Sequence, residues 1–414
     1  MEKSISLNKQ ILIGTAIGII IGYILNIIGT DTSSASSILY FADIIGSLFI
    51  SILKMILIPL VFTSITVGIA NLQAHSQMNR IWKLALIYFL STTSLSIIVG
   101  LVIVNVFKPG QGLEITLFQD AMDSFEIQSM GLSEFIKTFI AGLFINPIKA
   151  MAEAKILPTV IFAIFFGIAV IISGEKANRV KELLIELFEI VMLLVTWIMK
   201  IAPLGIMALL IKLVAIQDIE VLSQLGIFIS VVLLGTLFHG IIDLPILLKV
   251  FTGIGPKRLF AGISKALITA FSTSSSSATL PITMECVEKN LEVDKDIAGF
   301  VLPLGATANM DGTALYEAMA ALFIANIVGI DLNVVQQIVV FFMAIIAAVG
   351  APGIPSAGMV TMVMVLQSVG LPAEGIAILL PIDRFLDAFR TTVNVEGDAI
   401  GSCIISTIIM KSKE

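Results

Sequence analysis

Between residues 10 and 247 the chain is a succession of apolar runs, at about 10–28, 38–71, 82–107, 134–173, 179–215 and 221–247. An α-helix needs about 20 mostly apolar residues to cross the hydrocarbon of a bilayer, and continuous rather than alternating hydrophobicity selects helices over a β-barrel. Composition agrees: 57% of the 414 residues are hydrophobic and only 13% are charged, where a soluble domain carries about 25%. Mean hydropathy is +1.06. The chain reads as an all-α polytopic membrane protein. Several runs exceed one perpendicular crossing, so tilt or breaks are expected, with Pro59 and Pro203 as candidate break points and the fourth run interrupted at Pro147 and Pro158.

Charge alternates between the loops. Lys3 and Lys9, then Arg80 and Lys83, then Lys176, Arg179 and Lys181, then Lys249, Lys257 and Arg258 mark one side. Asp31, Glu114, Asp120, Asp123, Glu126, Asp218 and Glu220 mark the other, with Lys108 as the main exception. The basic loops and the N-terminus are therefore expected in the cytoplasm. Cys286, Cys403, His75 and His239 are too far apart for a short-spacing zinc motif or a disulfide framework. No basic cluster offers a footprint for nucleic acid. There is no N-x-S/T acceptor site, and no signal ending in A-x-A precedes the first run.

Beyond the sixth run the pattern changes. The apolar stretch near 259–285 is interrupted by Ser272 to Ser277 and followed by Lys289 and Lys295. A simple crossing would leave positive charge on both sides, whereas a re-entrant hairpin over 259–288 keeps Lys257, Arg258, Lys289 and Lys295 together. A second hairpin is expected over about 334–369, with its tip at Gly350 to Gly358. Non-helical backbone at membrane depth is tolerated only where protein buries it or it lines a wet cavity. Each hairpin precedes a helix with intramembrane charge, and Ser276 to Asp311 and Pro355 to Arg390 both span 35 residues. Paired, interrupted segments in corresponding halves point to a transporter's binding site.

The segment 373–409 must span, yet it carries Asp383, Arg384, Asp387, Arg390, Glu396 and Asp398. At 100° per residue, Asp383, Asp387, Arg390, Thr391, Asn394 and Asp398 fall within an arc of roughly 100°. Each charge near the bilayer centre costs about 2.5–3.5 kcal/mol, so such a face lines a pathway or pairs internally; the plainer alternative is a snorkelling or solvent-facing stripe. The preceding helix contains Gly305-Ala306-Thr307-Ala308-Asn309-Met310-Asp311-Gly312-Thr313, then Tyr316 and Glu317. Glycine, Asn and Asp inside an apolar run invite local unwinding that exposes carbonyls beside a carboxylate, a setting hard cations use. A kink with a capped aspartate is the alternative. If ionised, Asp311, Glu317, Asp387 and Asp398 outnumber Arg390, so protons, cations or a substrate ammonium must neutralise them. Such a site links entry of an anionic substrate to entry of positive charge.

These residues closely resemble the glutamate/aspartate branch of the excitatory amino-acid transporter family, the dicarboxylate/amino acid:cation symporters. Ser274 to Pro281, Asn309 to Thr313, Gly353-Ile354-Pro355 and Asp387 to Asp398 match in family order. The likeness is strongest over 257–405 and collinear before it, including Thr92-Thr93.

The resemblance implies eight transmembrane segments plus two re-entrant hairpins with inverted repeats, in a homotrimeric elevator-type transporter; the lack of a long insertion in the fourth region and of glycosylation sites points to a prokaryotic inner membrane. It divides the chain into a scaffold, residues 1–77 and 130–215, and a transport domain, residues 78–129 and 216–414, with hairpins at about 257–290 and 334–369. Arg390 would pair with the substrate's side-chain carboxylate and Asp387 with its α-amino group. Asn394, Thr391, Thr313, Ser275 and Ser276 would complete the pocket. Gly353, Ile354, Pro355, Ala357 and Gly358 would form the gate. One cation site would use Gly305, Asn309, Asn394 and Asp398, another Thr92, Thr93, Asn309 and Asp311. A third would combine carbonyls of Ala348, Val349 and Ala351 with Thr307 and Met310. Glu317 resembles the proton-carrying acid of the animal transporters. Two features depart from the family: its usual arginine is missing at both Ser274 and Ala388, with Arg384 placed to substitute, and Pro352 biases Ala351 towards extended backbone.

The expected function is uptake of L-glutamate or L-aspartate by symport with protons and sodium, with no resident cofactor. An intramembrane serine hydrolase using Ser274 to Ser277 with His239, and an uncoupled anion channel, are the alternatives. The first lacks a G-x-S-x-G elbow. Cys286, Cys403 and the Met-rich stretch 359–364 read as packing, and Asp43 and Lys54 as local polar contacts.

Overall fold

Glycines determine how the N-terminal helices meet. In the computed structural model, which describes residues 7–30, 32–70, 79–112, 144–153, 155–216, 219–351, 353 and 357–411, helix α1 (Leu7–Ile28) turns Gly14, Gly18 and Gly22 towards α6 (Asn178–Ile216). A Cβ added at Gly18 would lie 2.7 Å from the Met207 carbonyl oxygen, and one at Gly22 2.7 Å from Val214 Cβ. Small residues at four-residue intervals let backbones approach in a bilayer, where dispersion drives helix association. Helix α2 (Ser33–Ala70) packs on the same α6, with Gly205 lodged against the Phe49 ring, and also on α5 (Ile156–Ser173). Asp43 Oδ1 accepts from Lys212 Nζ at 2.5 Å, tying α2 to α6 by charge.

Two expected interruptions are corrected. Helix α2 runs through Pro59 as a single helix, whereas the span containing Pro203 is bent by 47° between Ile198 and Lys200, about one turn before that proline, where its ring meets the carbonyl four residues earlier. The fourth run breaks at residues 153–155 rather than at Pro158. Pro147 opens the short α4 (Pro147–Ala152) and Pro158 lies in the first turn of α5, where a missing N–H costs nothing. The first part of that run, 134–143, lies outside the described residues.

Helix α3 (Asn79–Phe107) packs along α12 (Asp311–Ile327), α15 (Ile376–Lys411), α13 (Val334–Gly350) and α7 (Ile219–Phe238). The sixth run is not one regular helix: α7 passes through a π-turn, His239–Asp243, into α8 (Leu244–Thr252). Paired helices occupy both stretches expected to be hairpins, and residues 352 and 354–356 of the second tip lie outside the described residues. Helices α9 (Pro256–Thr273) and α10 (Ser276–Asn290) pack on each other around Ser274 and Ser275, and α13 packs on α14 (Ala357–Ser368). The expected unwinding also forms, because α11 (Lys295–Ala308) ends at Asn309 and α12 begins at Asp311. All regular structure among the described residues is helical, and Arg80–Phe107, Ser223–Thr252 and Ile382–Lys411 are each long and apolar enough to cross a membrane.

Candidate functional site

The polar face of α15 points inward. Asp383, Asp387, Arg390, Thr391, Asn394 and Asp398 are all at most 5% exposed, which excludes a solvent-facing or snorkelling stripe in this chain. Arg390 is fully buried and its guanidinium carbon lies 4.0 Å above the Tyr316 ring centroid. Its Nη2 donates to Asp383 Oδ1 at 2.6 Å and to Asp387 Oδ1 at 3.0 Å, while Nε and Nη1 have no hydrogen-bond partner among the described residues. A carboxylate gripping two adjacent N–H groups must therefore displace at least one of these acids from Nη2. Asp383 is a member of the site that the sequence reading left outside the binding set.

Arg384 Nη1 donates to Asp387 Oδ2 at 3.2 Å and its Nη2 to the Thr273 carbonyl at 3.3 Å. Asp387 thus lies between two guanidinium groups.

The α11–α12 break supplies the opposite wall. Gly312 permits it to approach, because a Cβ there would sit 2.6 Å from the Arg390 carbonyl oxygen. Asn394 Oδ1 accepts from the Gly312 N–H at 2.8 Å, and its Nδ2 donates to Thr313 Oγ1 at 3.3 Å. We predict that Gly312→Ala, which drives a methyl into backbone that cannot yield, separates α12 from α15 at a cost of about 1–3 kcal/mol. It should lower the unfolding temperature and raise the apparent Kd for substrate more than tenfold, measured by thermal denaturation and binding on purified protein.

Two oxygen-rich clusters flank the break. In the first, Asn309 Nδ2 donates to Asp398 Oδ1 at 2.9 Å and to the Asn394 carbonyl at 3.4 Å, and Asn309 Oδ1 has no partner among the described residues. Gly305 belongs here because any side chain on it would collide with Asp398. In the second, Asp311 Oδ1 accepts from Thr93 Oγ1 at 2.6 Å and Thr92 Oγ1 at 3.3 Å, and Asp311 Oδ2 lies 3.3 Å from His239 Nε2. The expected third set is less assembled. Ala348 and Val349 lie in the last turn of α13, whose final carbonyls lack intrahelical partners. Ala351 is extended, at φ −76° and ψ 131°. Met310 is buried at the start of α12, whereas the exposed Thr307 turns its hydroxyl back to the Leu304 carbonyl of its own helix at 3.0 Å.

The two hairpin tips touch. Ser274 adopts left-handed backbone, φ 49°, which reverses the chain. Ser275 caps α10 by accepting from the Ala278 N–H at 3.1 Å and donates its own hydroxyl to the Gly353 carbonyl at 2.8 Å; the Ser277 N–H donates to the same carbonyl at 3.1 Å. Ser276 is buried beside them. Gly358 lies against Thr313 in the first turn of α14. Ile354 and Pro355 are outside the described residues, and only the backbone of Ala357, which opens α14, is described. Glu317 is fully buried, its Oε1 accepting from Thr361 Oγ1 of α14 while Oε2 has no partner among the described residues.

A model of the sodium:dicarboxylate symporter family matches residues 7–408. The chain belongs to this family. It is 34% identical to excitatory amino acid transporter 3 of Mus musculus over 98% of this chain and 87% of that protein. It is 37% identical to excitatory amino acid transporter 2 of Homo sapiens over 87% and 72%, and 35% identical to excitatory amino acid transporter 1 of Ambystoma tigrinum over 94% and 81%. As a member of a symporter family the chain is a multi-pass membrane transporter and not an enzyme. The hydrolase alternative also fails on geometry: the His239 ring nitrogens face Asp243 and Asp311, not the serine turn.

Proposed function

We propose that this symporter takes up L-glutamate or L-aspartate, driven by sodium and a proton, and that the observation carrying the reading is the arrangement around Arg390. Its Nη2 is shared between Asp383 and Asp387. An acidic side chain that claims two N–H groups of Arg390 frees Asp387, which then meets the substrate's α-ammonium. A neutral amino acid cannot make that exchange. The Asn394–Thr313 pair and the serine turn at Ser275 and Ser276 supply polar partners for the α-carboxylate.

Charge demands co-ions. Among the described residues six buried carboxyl groups, on Asp311, Glu317, Asp383, Asp387, Glu396 and Asp398, outnumber two buried arginines, and an acidic amino acid, with two carboxylates and one ammonium, adds a further net negative charge. Cations at the Asn309–Asp398 and Thr92–Thr93–Asp311 clusters offset it. The α13 end around Ala348, Val349 and Ala351 is a third candidate. Glu317 is the proton carrier in this reading, since its Oε2, without a partner among the described residues, and its hydroxyl link to Thr361 join the proton to the second hairpin. The contact of the tips at Gly353 is the closed gate. Helices α1, α2, α4, α5 and α6 act as the scaffold and the remainder as the moving domain, in an elevator-type homotrimer with eight spans and two re-entrant hairpins in a prokaryotic inner membrane.

Radiolabelled aspartate uptake into proteoliposomes, with sodium and pH gradients imposed separately, tests this. Each gradient should drive accumulation and the two together should exceed either alone; equilibration without accumulation would instead favour the channel. Glu317→Gln should reduce the stimulation by an inward proton gradient at least fivefold while sodium-driven uptake persists. An unchanged response to pH discards the proton role.

A further inference from the structure

The π-turn between α7 and α8 brings a second acid to the Asp311 cluster. Leu244 donates its N–H to the His239 carbonyl, and the next residue, Pro245, has no N–H to continue an α-helical pattern. The widened turn leaves His239 fully buried. Its Nδ1 lies 3.2 Å from Asp243 Oδ2 and its Nε2 lies 3.3 Å from Asp311 Oδ2. Gly240 lets the turn settle on α15, since a Cβ there would come within 2.9 Å of Val393 Cγ2 and 3.3 Å of Glu396 Oε2. The imidazole is thus fixed between two carboxylates and cannot rotate without leaving both.

We propose that Asp243 and His239 are positioning residues for sodium at Asp311, an inference that rests on the reading of Thr92, Thr93, Asn309 and Asp311 as a cation site. The carboxylate of Asp311 divides its work. Oδ2 is engaged by the imidazole, and Oδ1 is left with the Thr92 and Thr93 hydroxyls, which can reorient to offer their lone pairs to an ion. With Oδ2 pinned, Oδ1 meets an arriving cation in one orientation instead of sampling several. Outer partners that fix a ligating carboxylate are commonly worth a factor of about 10–100 in metal affinity. Asp243 touches no cation; it acts by orienting His239, and His239 acts by orienting Asp311.

The test is a double-mutant cycle read on sodium. Asp243→Leu should raise the half-saturating sodium concentration about tenfold, both for aspartate uptake and for the sodium-dependent rise in melting temperature of substrate-free protein. The maximal uptake rate at saturating sodium should change less than twofold. His239→Gln keeps an N–H for Asp311 on a side chain that does not need Asp243. In that background Asp243→Leu should add less than a twofold further shift. An equal shift in both backgrounds means that Asp243 acts only through its charge, and overturns the proposal. So does an unchanged half-saturation in Asp243→Leu, or a loss of maximal rate without a shift. Asp311→Asn separates the two levels. If it abolishes the sodium-dependent stabilisation while both other variants leave it intact, only the positioning role falls; if Asp311→Asn leaves the sodium response untouched, the cation-site reading falls and the positioning role with it.

Discussion

Replacing Arg390 with alanine is expected to reduce aspartate uptake in proteoliposomes to the level of empty vesicles. Truncating one member of a buried, hydrogen-bonded charge set destabilises the fold by about 3–5 kcal/mol, and losing a buried charged partner of a bound carboxylate costs about 2–5 kcal/mol of binding. Two effects contribute and can be separated. One is loss of the guanidinium that would grip the substrate's side-chain carboxylate in parallel hydrogen bonds; the other is abandonment of Asp383 and Asp387, which Arg390 Nη2 holds at 2.6 and 3.0 Å. Adding Asp383→Asn to Arg390→Ala should recover much of the lost thermal stability and none of the uptake. Arg390→Lys retains the charge but not the fork, so it should raise KM strongly while leaving a measurable maximal rate. Aspartate flux surviving undiminished in the alanine variant would remove the basis for the substrate assignment.

The parts of this site that were legible from the sequence are those built by local chemistry. Interior charge on one helical face announced α15. Asn309 and Asp311 beside Gly305 and Gly312 announced the unwound break, and a run of serines announced the first hairpin. What was not legible depends on helices far apart in the chain. Asp383 lies on the visible stripe, but its bond to Arg390 depends on which rotamer Tyr316 supports from α12. Periodicity cannot foresee that the sixth run loosens into a π-turn, because the signal, Pro245 two residues after Asp243, reads equally well as a simple kink. Nor does it reveal that His239 crosses to Asp311, 72 residues away. Pro59 misleads in the opposite direction: proline predicts a break from the helix alone, yet α2 continues through it, packed along α5 and α6.

Asp398→Asn is expected to have the second largest effect, and its signature differs from that of Arg390. Asp398 accepts from Asn309 Nδ2 at 2.9 Å across the gap that Gly305 leaves open. Asparagine preserves volume and one oxygen acceptor, so folding should be little affected, and the change removes the charge that a cation between Asn309, Asn394 and Asp398 would neutralise. The half-saturating sodium concentration should therefore rise at least tenfold, about 1.4 kcal/mol or more. Because cation and substrate sites share Asn394, whose Oδ1 also takes the Gly312 N–H at 2.8 Å, the loss must propagate to aspartate. Its apparent KM should be raised at low sodium and return towards the native value as sodium is increased, a crossing pattern that linkage between two binding sites requires. Arg390→Ala should show no such recovery at any sodium concentration. If Asp398→Asn instead weakens aspartate equally at all sodium concentrations, Asp398 serves the substrate pocket directly and the cluster at Gly305 is not a cation site.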